Sequence, residues 1–237
     1  MKDHKKVLLL GLLLGASLLL CAYGRSEGEA APEQEDVPQE MTQHLAVPVQ
    51  PEEPEEPKHE IREIDGLTYV DGILIANKTY SLPEDYDPGV DETAQAALDR
   101  LIQGAAKEGL NLYVISDYRS YRHQTNTYAR FCNKDGKAEA DRYSARPGHS
   151  EHQTGLAFDL NSTKQSFGET AEGKWIAAHC WEYGFILRYP QDKEAITGYM
   201  YEPWHLRYLG EELAQDVTES GLCLEEYLDI TSVYAEE

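Results

Sequence analysis

The sequence predicts an α+β domain, and three observations lead to that prediction. Apolar residues recur with helical spacing between Asp91 and Gly109, short β-rich runs alternate with such helical patterns, and the connections between them are short. The chain has 237 residues, 41% of them apolar, which is enough for one sizeable core with appendages.

The first 24 residues resemble an export signal. Three lysines before Val7 precede the uncharged run VLLLGLLLGASLLLCA, which is the n-region and h-region layout of a secretory signal. The run is shorter than the roughly twenty residues that span a bilayer, so residues 1–24 are interpreted as a signal peptide or a membrane anchor. Cys21 follows three leucines as in a bacterial lipoprotein box, although Leu20 stands where Gly, Ala or Ser is usual. Lipidation, cleavage and anchoring all stay open.

Residues 25–60 form the next compositional segment, rich in Glu, Pro, Gln and Ala and without aromatic residues. Such a segment cannot bury enough surface to fold, so we expect an extended acidic linker. The whole chain carries a formal net charge of -22, and no basic stripe interrupts it. This argues against nucleic acid as a partner and against electrostatic docking on anionic lipid. Any membrane contact is therefore expected only through the N-terminal segment.

The folded part is expected to start near residue 61 with a hairpin around Asp71-Gly72 in LTYVDGILIANKTYSL. A helix follows, with Asp91 as its N-cap, Gly109 as its stop and an apolar face that includes Ile102. LYVIS is expected to be a short buried strand. The later elements are a helix in SYRHQTNTYARFCN, a polar excursion ending at Pro147-Gly148, a strand over 156–160, a helix in GKWIAAHCWEYG, strands in FILRYP and TGYMYEPWHLRYL, and a closing helix in GEELAQDVTESGL.

The stretch GHSEHQTGLAFDL places Asp159 inside a buried strand, seven residues after His152. A regular helix would separate the two by roughly 10 Å and a strand by roughly 23 Å, too far for one metal ion. Gly155 can adopt a positive φ and reverse the chain, which would bring His152 back over Asp159. A cation between them would explain the buried carboxylate.

A third ligand is needed, and YEPWHLRY offers His205 with Glu202 three residues before it. Residues three apart face opposite sides of a regular strand. Pro203 makes regular pairing unfavourable, so a bulge could aim both side chains inward. Glu202 would then be placed to accept a proton from metal-activated water.

The other nucleophilic and thiol residues predict less. Ser150 lacks the G-x-S-x-G setting of a serine hydrolase. Cys132, Cys180 and Cys223 form an odd set without a C-x-x-C pair, which indicates neither a cysteine zinc site nor a disulfide scaffold. Cys132 and Cys180 fall in helical patterns and are expected to be buried free thiols, with one disulfide among the three left open.

Three motifs in order resemble the VanY-type D-alanyl-D-alanine carboxypeptidases of the hedgehog-like zinc peptidase superfamily. SEHQTGLAFD matches S-x-H-x-x-G-x-A-x-D, EPWH matches E-x-x-H, and YRSYRHQ resembles Y-R-S-x-x-x-Q. The resemblance implies a small central antiparallel sheet flanked by helices, within a zinc domain over residues 61–237. Asp117 stands where the family usually has glycine.

The same resemblance implies the roles of individual residues. One zinc ion would be bound by His152, Asp159 and His205, with Glu202 as general base and acid. Arg119 would stabilise the oxyanion of the scissile carbonyl, and two further residues would contact substrate. Those two are Ser150 and Gln124.

The resemblance implies a monomeric D,D-carboxypeptidase that removes the C-terminal D-alanine of peptidoglycan stem peptides. With the N-terminal segment, we expect it outside the cytoplasm, tethered to the bacterial membrane and facing the wall. Two alternatives stay open: an L,D-carboxypeptidase on tetrapeptide stems, because the motifs do not encode stereochemistry, and a non-catalytic zinc-containing wall-binding module. A binding module would not need Glu202 as a base.

Overall fold

Two antiparallel sheets organise residues 58–235, the part of the chain that the computed structural model describes. The expected signal or anchor at 1–24, with Cys21, lies outside the described residues, and so do residues 25–57 of the expected linker. No helix within residues 58–235 is both long and apolar enough to cross a membrane.

The first sheet is a three-stranded meander. It contains β1 (Ile61–Ile64), β2 (Leu67–Val70) and β3 (Ile73–Ile75), each antiparallel to the next. The hairpin predicted around Asp71-Gly72 is confirmed, and both turn residues have positive φ, 49° and 82°. Such two-residue turns match the twist of the strands that they join.

The second sheet has the strand order β4-β5-β7-β6 and is antiparallel throughout. Its strands are β4 (Val114–Ser116), β5 (Ala157–Leu160), β6 (Phe185–Leu187) and β7 (His205–Tyr208). Helices pack around it, so the predicted α+β fold with a small central antiparallel sheet is confirmed. β5 and β7 are its inner strands, and both are almost entirely buried.

The prediction that LYVIS is a buried strand is wrong. β4 is an edge strand of the second sheet, where Val114 is 37% and Ile115 42% exposed. Only Leu112, just before the strand, is buried. An apolar run of this length looks the same from sequence whether the strand lies at the edge or in the middle of a sheet.

The helix α1 (Glu92–Lys107) packs its apolar face on the second sheet. Asp91 is its N-cap, because its carboxylate accepts a hydrogen bond from the Ala94 backbone N–H. The predicted face is confirmed except for Ile102, which is only partly buried. The fully buried members of this face are Ala94, Ala97, Leu98, Leu101 and Ala105.

The remaining α-helices are α2 (Tyr121–Asp135), α3 (Lys137–Ala140), α4 (Ala171–His179), α5 (Glu194–Thr197), α6 (Glu211–Ser220) and α7 (Leu224–Tyr227). Short 3-10 helices span Glu151–Thr154, Gln165–Glu169 and Cys180–Tyr183. The prediction that the helix in GEELAQDVTESGL closes the domain is wrong. After α6 the chain continues into α7, and Leu228 and Ile230 complete a second apolar cluster.

The three cysteines of the described region are free thiols, so the disulfide left open by the sequence does not form there. Cys180 is buried as expected, and Cys223 is buried too. The prediction that Cys132 is buried is wrong, because it lies near the end of α2 and is partly exposed. Burial raises the pKa of the Cys180 thiol to about 12. This suits packing and not reactivity.

Candidate active site

The reversal between His152 and Asp159 is built from a 3-10 helix and one glycine. His152 lies in the helix Glu151–Thr154, and Gly155 ends it with φ 75°, as the sequence predicted. A Cβ atom on Gly155 would lie 2.1 Å from the Gly89 carbonyl oxygen, so the close approach of these two segments also requires glycine. The chain then enters β5, which carries Asp159.

Strand pairing brings His205 to the same place. Asp159 of β5 lies directly opposite His205 of β7 in the antiparallel register. The predicted bulge before His205 is wrong, because residues 202–205 form a β-turn in which the His205 N–H donates to the Glu202 carbonyl at 3.2 Å. Pro203 takes the position of this turn that proline favours. Glu202 therefore faces the site from the turn, ahead of the strand.

The side chains of His152, Asp159 and His205 offer nitrogen and oxygen atoms that all lie within 4.8 Å of one another. His152 Nε2 lies 3.2 Å from Asp159 Oδ2, and His205 Nδ1 lies 3.1 Å from Asp159 Oδ1. Asp159 Oδ1 is nonetheless a buried atom without a hydrogen-bond partner, because the second contact lacks hydrogen-bond geometry. Potential ligand atoms that lie this close together without hydrogen bonds between them are well placed to coordinate one shared cation. Two imidazoles and one carboxylate are a donor set that suits zinc.

The second ring nitrogen of each histidine also has a polar partner. His152 Nδ1 lies 2.7 Å from the Asp117 carbonyl oxygen, and His205 Nε2 lies 3.3 Å from a carboxylate oxygen of Glu151. Metal-binding histidines commonly donate their second N–H to a carbonyl or carboxylate in this way. These contacts leave Nε2 of His152 and Nδ1 of His205 facing the candidate metal site.

The local charges favour a cation at this position. Burial alone would lower the pKa of His205, but Asp159 and Glu151 outweigh it and raise that pKa to about 9. Burial lowers the pKa of His152, opposed by Asp159. Burial would raise the pKa of Asp159, but the two histidines hold it well below its usual range. Carboxylates facing imidazoles at close range stabilise positive charge between them.

Glu202 and Arg119 line one cavity of about 570 Å³ together with the three candidate metal ligands. Burial raises the pKa of Glu202 to about 8, and the negative charge of Asp159 adds to the effect while His205 and Arg119 oppose it. A buried carboxyl group with a raised pKa is typical of a group that transfers protons near neutral pH.

The guanidinium group of Arg119 is fixed by two side chains. Its Nη1 donates to Gln124 Oε1 at 2.9 Å and its Nη2 donates to Ser116 Oγ at 2.8 Å. Gln124 is fully buried and also donates to the Ala145 carbonyl, so it lies behind Arg119 and not at the cavity wall. The structure thus places Gln124 to position Arg119. Ser150, by contrast, does line the cavity.

The nearby aromatic residues and the remaining histidines also differ in whether they line the cavity. Trp204 and Tyr199 line the cavity, whereas Tyr201 lies outside it. His149 is half-buried, with Nδ1 2.8 Å from the Asn77 carbonyl oxygen, and does not line the cavity. His123 is exposed and lines the cavity.

The sequence reasoning missed two site residues, Ser116, which holds Arg119, and Glu151. Glu151 is buried beside His205, and the positive charges of Arg188 and Arg207 hold the pKa of its carboxyl group well below the usual range despite its burial. The available signal was its position between Ser150 and His152 within the motif. Its arginine partners lie 37 and 56 residues away and could be identified only from the fold.

Comparisons with known proteins agree with this geometry. Residues 88–211 match the family model "VanY: D-alanyl-D-alanine carboxypeptidase". A putative carboxypeptidase of Bacillus subtilis, YodJ, is 37% identical over 200 residues, which covers 72% of this chain and 73% of that protein.

Two solved structures share this fold. The LdcB LD-carboxypeptidase is 45% identical, with a TM-score of 0.69, over 74% of this chain and 98% of that chain. The vancomycin resistance D,D-pentapeptidase VanY, solved in complex with Zn(II), is 35% identical, with a TM-score of 0.57, over 65% of this chain and 97% of that chain. The chain belongs to the VanY family of D-alanyl-D-alanine carboxypeptidases and is a carboxypeptidase of peptidoglycan-related peptides.

Proposed function

We propose that the protein is a zinc-dependent carboxypeptidase that releases the C-terminal D-alanine of peptidoglycan stem peptides, with tetrapeptide stems as its preferred substrates. The observation that carries the proposal is the convergence of three metal-ligand candidates, Glu202 and Arg119 on one cavity. A binding module needs neither a buried general base nor an anchored arginine beside the metal ligands.

In this proposal His152, Asp159 and His205 hold one zinc ion. When bound, zinc polarises the scissile carbonyl and lowers the pKa of water to about 7. Glu202 accepts the proton of the attacking water and returns it to the leaving amine of D-alanine. Its raised pKa suits both transfers at neutral pH.

Arg119 faces the position where the oxyanion forms. Its charge is permanent, and the hydrogen bonds that it donates to Gln124 and Ser116 fix the direction of the guanidinium group before substrate arrives. We assign Gln124 to positioning Arg119 and keep Ser150, at the cavity wall, as the substrate contact.

The preference for L,D over D,D cleavage is supported by the solved relatives. LdcB and the Streptococcus pneumoniae L,D-carboxypeptidase DacB are 45% and 43% identical and are covered over 98% and 99% of their lengths. The D,D-pentapeptidase VanY is 35% identical. The second candidate, D,D cleavage of pentapeptides, is favoured by the family model and by the D-alanyl-D-alanine carboxypeptidase of Enterococcus faecium, 40% identical over 130 residues.

The test is D-alanine release from synthetic stem peptides by the zinc-loaded protein. Tetrapeptides ending in one D-alanine and pentapeptides ending in D-Ala-D-Ala are offered separately. We expect a higher kcat/KM on the tetrapeptide and a loss of about 10²- to 10⁴-fold in Glu202→Gln. Preference for the pentapeptide would establish the second candidate. A zinc-bound protein that cleaves neither would contradict the enzymatic proposal in favour of a binding module.

We also propose that residues 1–24 export the domain and that residues 25–60 tether it at the outer face of the membrane. This rests on the sequence pattern. Fractionation of cells that express the full chain tests it, and recovery in the cytoplasm would contradict it.

A further inference from the structure

A group of four buried charged residues lies directly behind the candidate metal ligand His205. Glu151, Arg188, Arg207 and Glu225 are 2%, 0%, 1% and 1% exposed. Their two negative and two positive charges balance. Because burying ions is costly unless each is fully paired, such a group requires a physical explanation.

The inner half of this group holds the His205 ring. His205 and Arg207 are two residues apart on β7, so their side chains lie on the same face of the strand, and both contact Glu151. Glu151 Oε2 faces His205 Nε2 at 3.3 Å, while its Oε1 accepts hydrogen bonds from Arg188 Nε at 2.7 Å and from Arg207 Nη1 at 2.9 Å. The carboxylate that fixes the ring is therefore itself fixed.

The outer half connects Arg188 to the end of the chain. Arg188 donates two hydrogen bonds to Glu225 of α7, at 2.7 Å and 2.5 Å, which is the two-point pairing of arginine with a carboxylate. Asn77 Nδ2 donates to Glu225 Oε1 at 3.1 Å and to the Thr231 carbonyl at 3.0 Å. Glu225 therefore connects Arg188, which holds Glu151, with Asn77 in the N-terminal part of the domain.

Asn77, Glu225 and Thr231 all lie outside the segment that matches the family model, residues 88–211. Asn77 precedes it and Glu225 follows it. A continuous path of buried contacts then runs from Asn77 through Glu225, Arg188 and Glu151 to His205.

We propose that Glu225, in the C-terminal helix α7, is a positioning residue of the metal centre, because it sets the orientation of His205 through Arg188 and Glu151. This rests on the proposed function in one respect, the assignment of His205 as a metal ligand. Loss of the Glu225 charge leaves Arg188 free to pull Glu151 away from the ring, so His205 samples more orientations and binds the ion less tightly.

The first measurement is the zinc dissociation constant of the full chain after metal removal, by competition with a chromophoric chelator. Glu151→Gln is expected to weaken zinc binding about 10- to 100-fold, as for other residues that contact a ligand histidine. Glu225→Gln, two contacts further away, is expected to weaken it about threefold to tenfold. The visible absorption of the cobalt-substituted protein should change in both variants, because it reports the geometry of the ligands.

Two controls separate positioning from general loss of stability. Glu226→Gln is the matched substitution on the same helix, where the carboxylate pairs with Lys193 Nζ and does not reach Arg188. Leu228→Ala removes buried apolar contacts of the same segment without touching the charges. Both should keep the parental zinc affinity and cobalt spectrum, even where the melting temperature falls.

The double variant tests whether the path runs through Glu151. If the two substitutions act independently, their losses of zinc-binding free energy should add. If they act along a single path, Glu225→Gln should not weaken zinc binding further once Glu151→Gln is present. If Glu225→Gln does not fold, Glu225→Asp retains the charge with a shorter reach and should weaken zinc binding in the same direction.

The outcomes distinguish this inference from the proposed function. Parental zinc affinity and cobalt spectra in the Glu225 variants, with zinc still bound at His152 and His205, would overturn the positioning role alone. If His152→Ala does not reduce zinc binding, the proposed metal centre fails and this inference fails with it. Equal losses of affinity in Leu228→Ala would also overturn it, since stability alone would then explain the effect.

Discussion

At the scale of single residues, surroundings decide what two buried glutamates of one site can do. The carboxyl group of Glu202 is buried near the negative charge of Asp159, and both effects raise its pKa, to about 8. Glu151 is equally buried, but Arg188 and Arg207 hold its pKa far below that of Glu202. The first can exchange a proton near neutral pH, whereas the second stays ionised and serves as a fixed anchor.

The role of Arg119 predicts the effect of a conservative change. Arg119→Lys keeps the charge, but an ammonium group cannot bond Gln124 and Ser116 in the same planar arrangement. We expect kcat for D-alanine release to fall about 10²- to 10³-fold, as when an oxyanion donor is lost. Arg122→Lys, on the exposed face of the following helix, is the matched control and should change kcat little. A parental kcat in Arg119→Lys would contradict the assignment.

The replacement of the family's usual glycine by Asp117 is explained at the same scale. Asp117 is exposed and is not among the residues with positive φ, so its side chain fits without strain. Its contribution to the site is the backbone carbonyl that accepts from His152, which any residue could supply.

At the scale of elements, the site depends on how three segments meet. The 3-10 helix brings His152, β5 brings Asp159 and β7 brings His205, with the last two directly opposite in register. A slip of one residue between β5 and β7 would turn one of these ligands to the opposite face.

The turn at Gly155 should therefore tolerate no side chain. Gly155→Ala places a Cβ atom on the Gly89 carbonyl oxygen at a residue with φ 75°. We expect the free energy of unfolding to fall by more than about 1 kcal/mol, which is the usual cost of alanine at positive φ without a clash. Gly109→Ala is the control, because its φ is also positive but no atom lies within 4 Å of the added Cβ. Urea unfolding compares them, and equal losses would refute the role of the close contact.

The connection after α3 predicts a pH dependence of stability. Asp141 accepts hydrogen bonds from Tyr128 and Arg146. Burial acts to raise its pKa, but these bonds outweigh it and the pKa is lowered. A lowered pKa in the folded state means that this carboxylate stabilises fully above the unfolded value, about 3.9, and less as pH falls below it.

Asp141→Asn tests this dependence. We expect the variant to be less stable than the parent at pH 6, and the difference in the free energy of unfolding to shrink steadily below about pH 4. Chemical denaturation at several pH values measures it. The control is Asp99→Asn on the exposed face of α1, where the difference should stay small at every pH. A difference for Asp141→Asn that does not vary with pH would be evidence against this ionised role.

At the scale of the whole molecule, the candidate metal ligands join the segment from His152 to Asp159 with His205, which lies 46 residues further along the chain. A cation that binds the folded protein alone therefore stabilises all of them together. At a hundredfold excess over its dissociation constant, zinc should stabilise folding by about 2.7 kcal/mol, which is a rise in Tm of about 5–10 °C for a domain of this size. Calorimetry with and without a chelator measures this rise.

His152→Ala is the control for that experiment. It removes one ligand while leaving β5 and β7 paired, so most of the zinc-dependent rise in Tm should disappear. A rise that persists in this variant would place the stabilising zinc elsewhere in the chain.

Much of the candidate site could be predicted from local sequence. The spacing of His152, Gly155 and Asp159 requires a reversal, and the structure has one at the predicted glycine. The helix from Asp91 and the hairpin at Asp71-Gly72 were likewise predicted by capping and turn residues. The β1-β2 hairpin was missed, although Asp65-Gly66 repeats the same turn signal. These features depend on interactions between neighbours in the chain, which sequence patterns record.

Only the tertiary structure decided the features that depend on distant neighbours. β4 is exposed because it lies at the edge of the second sheet, and Gln124 reaches Arg119 instead of the cavity because of how α2 packs. Glu151 is held by arginines from β7 and from the end of β6, and one of these is clamped by Glu225 of α7. The sequence by itself determined which groups could carry the chemistry, since residue types and local spacing are written in it. Their charges, orientations and supports were decided by packing between segments, because burial and long-range pairing arise only when the chain is folded.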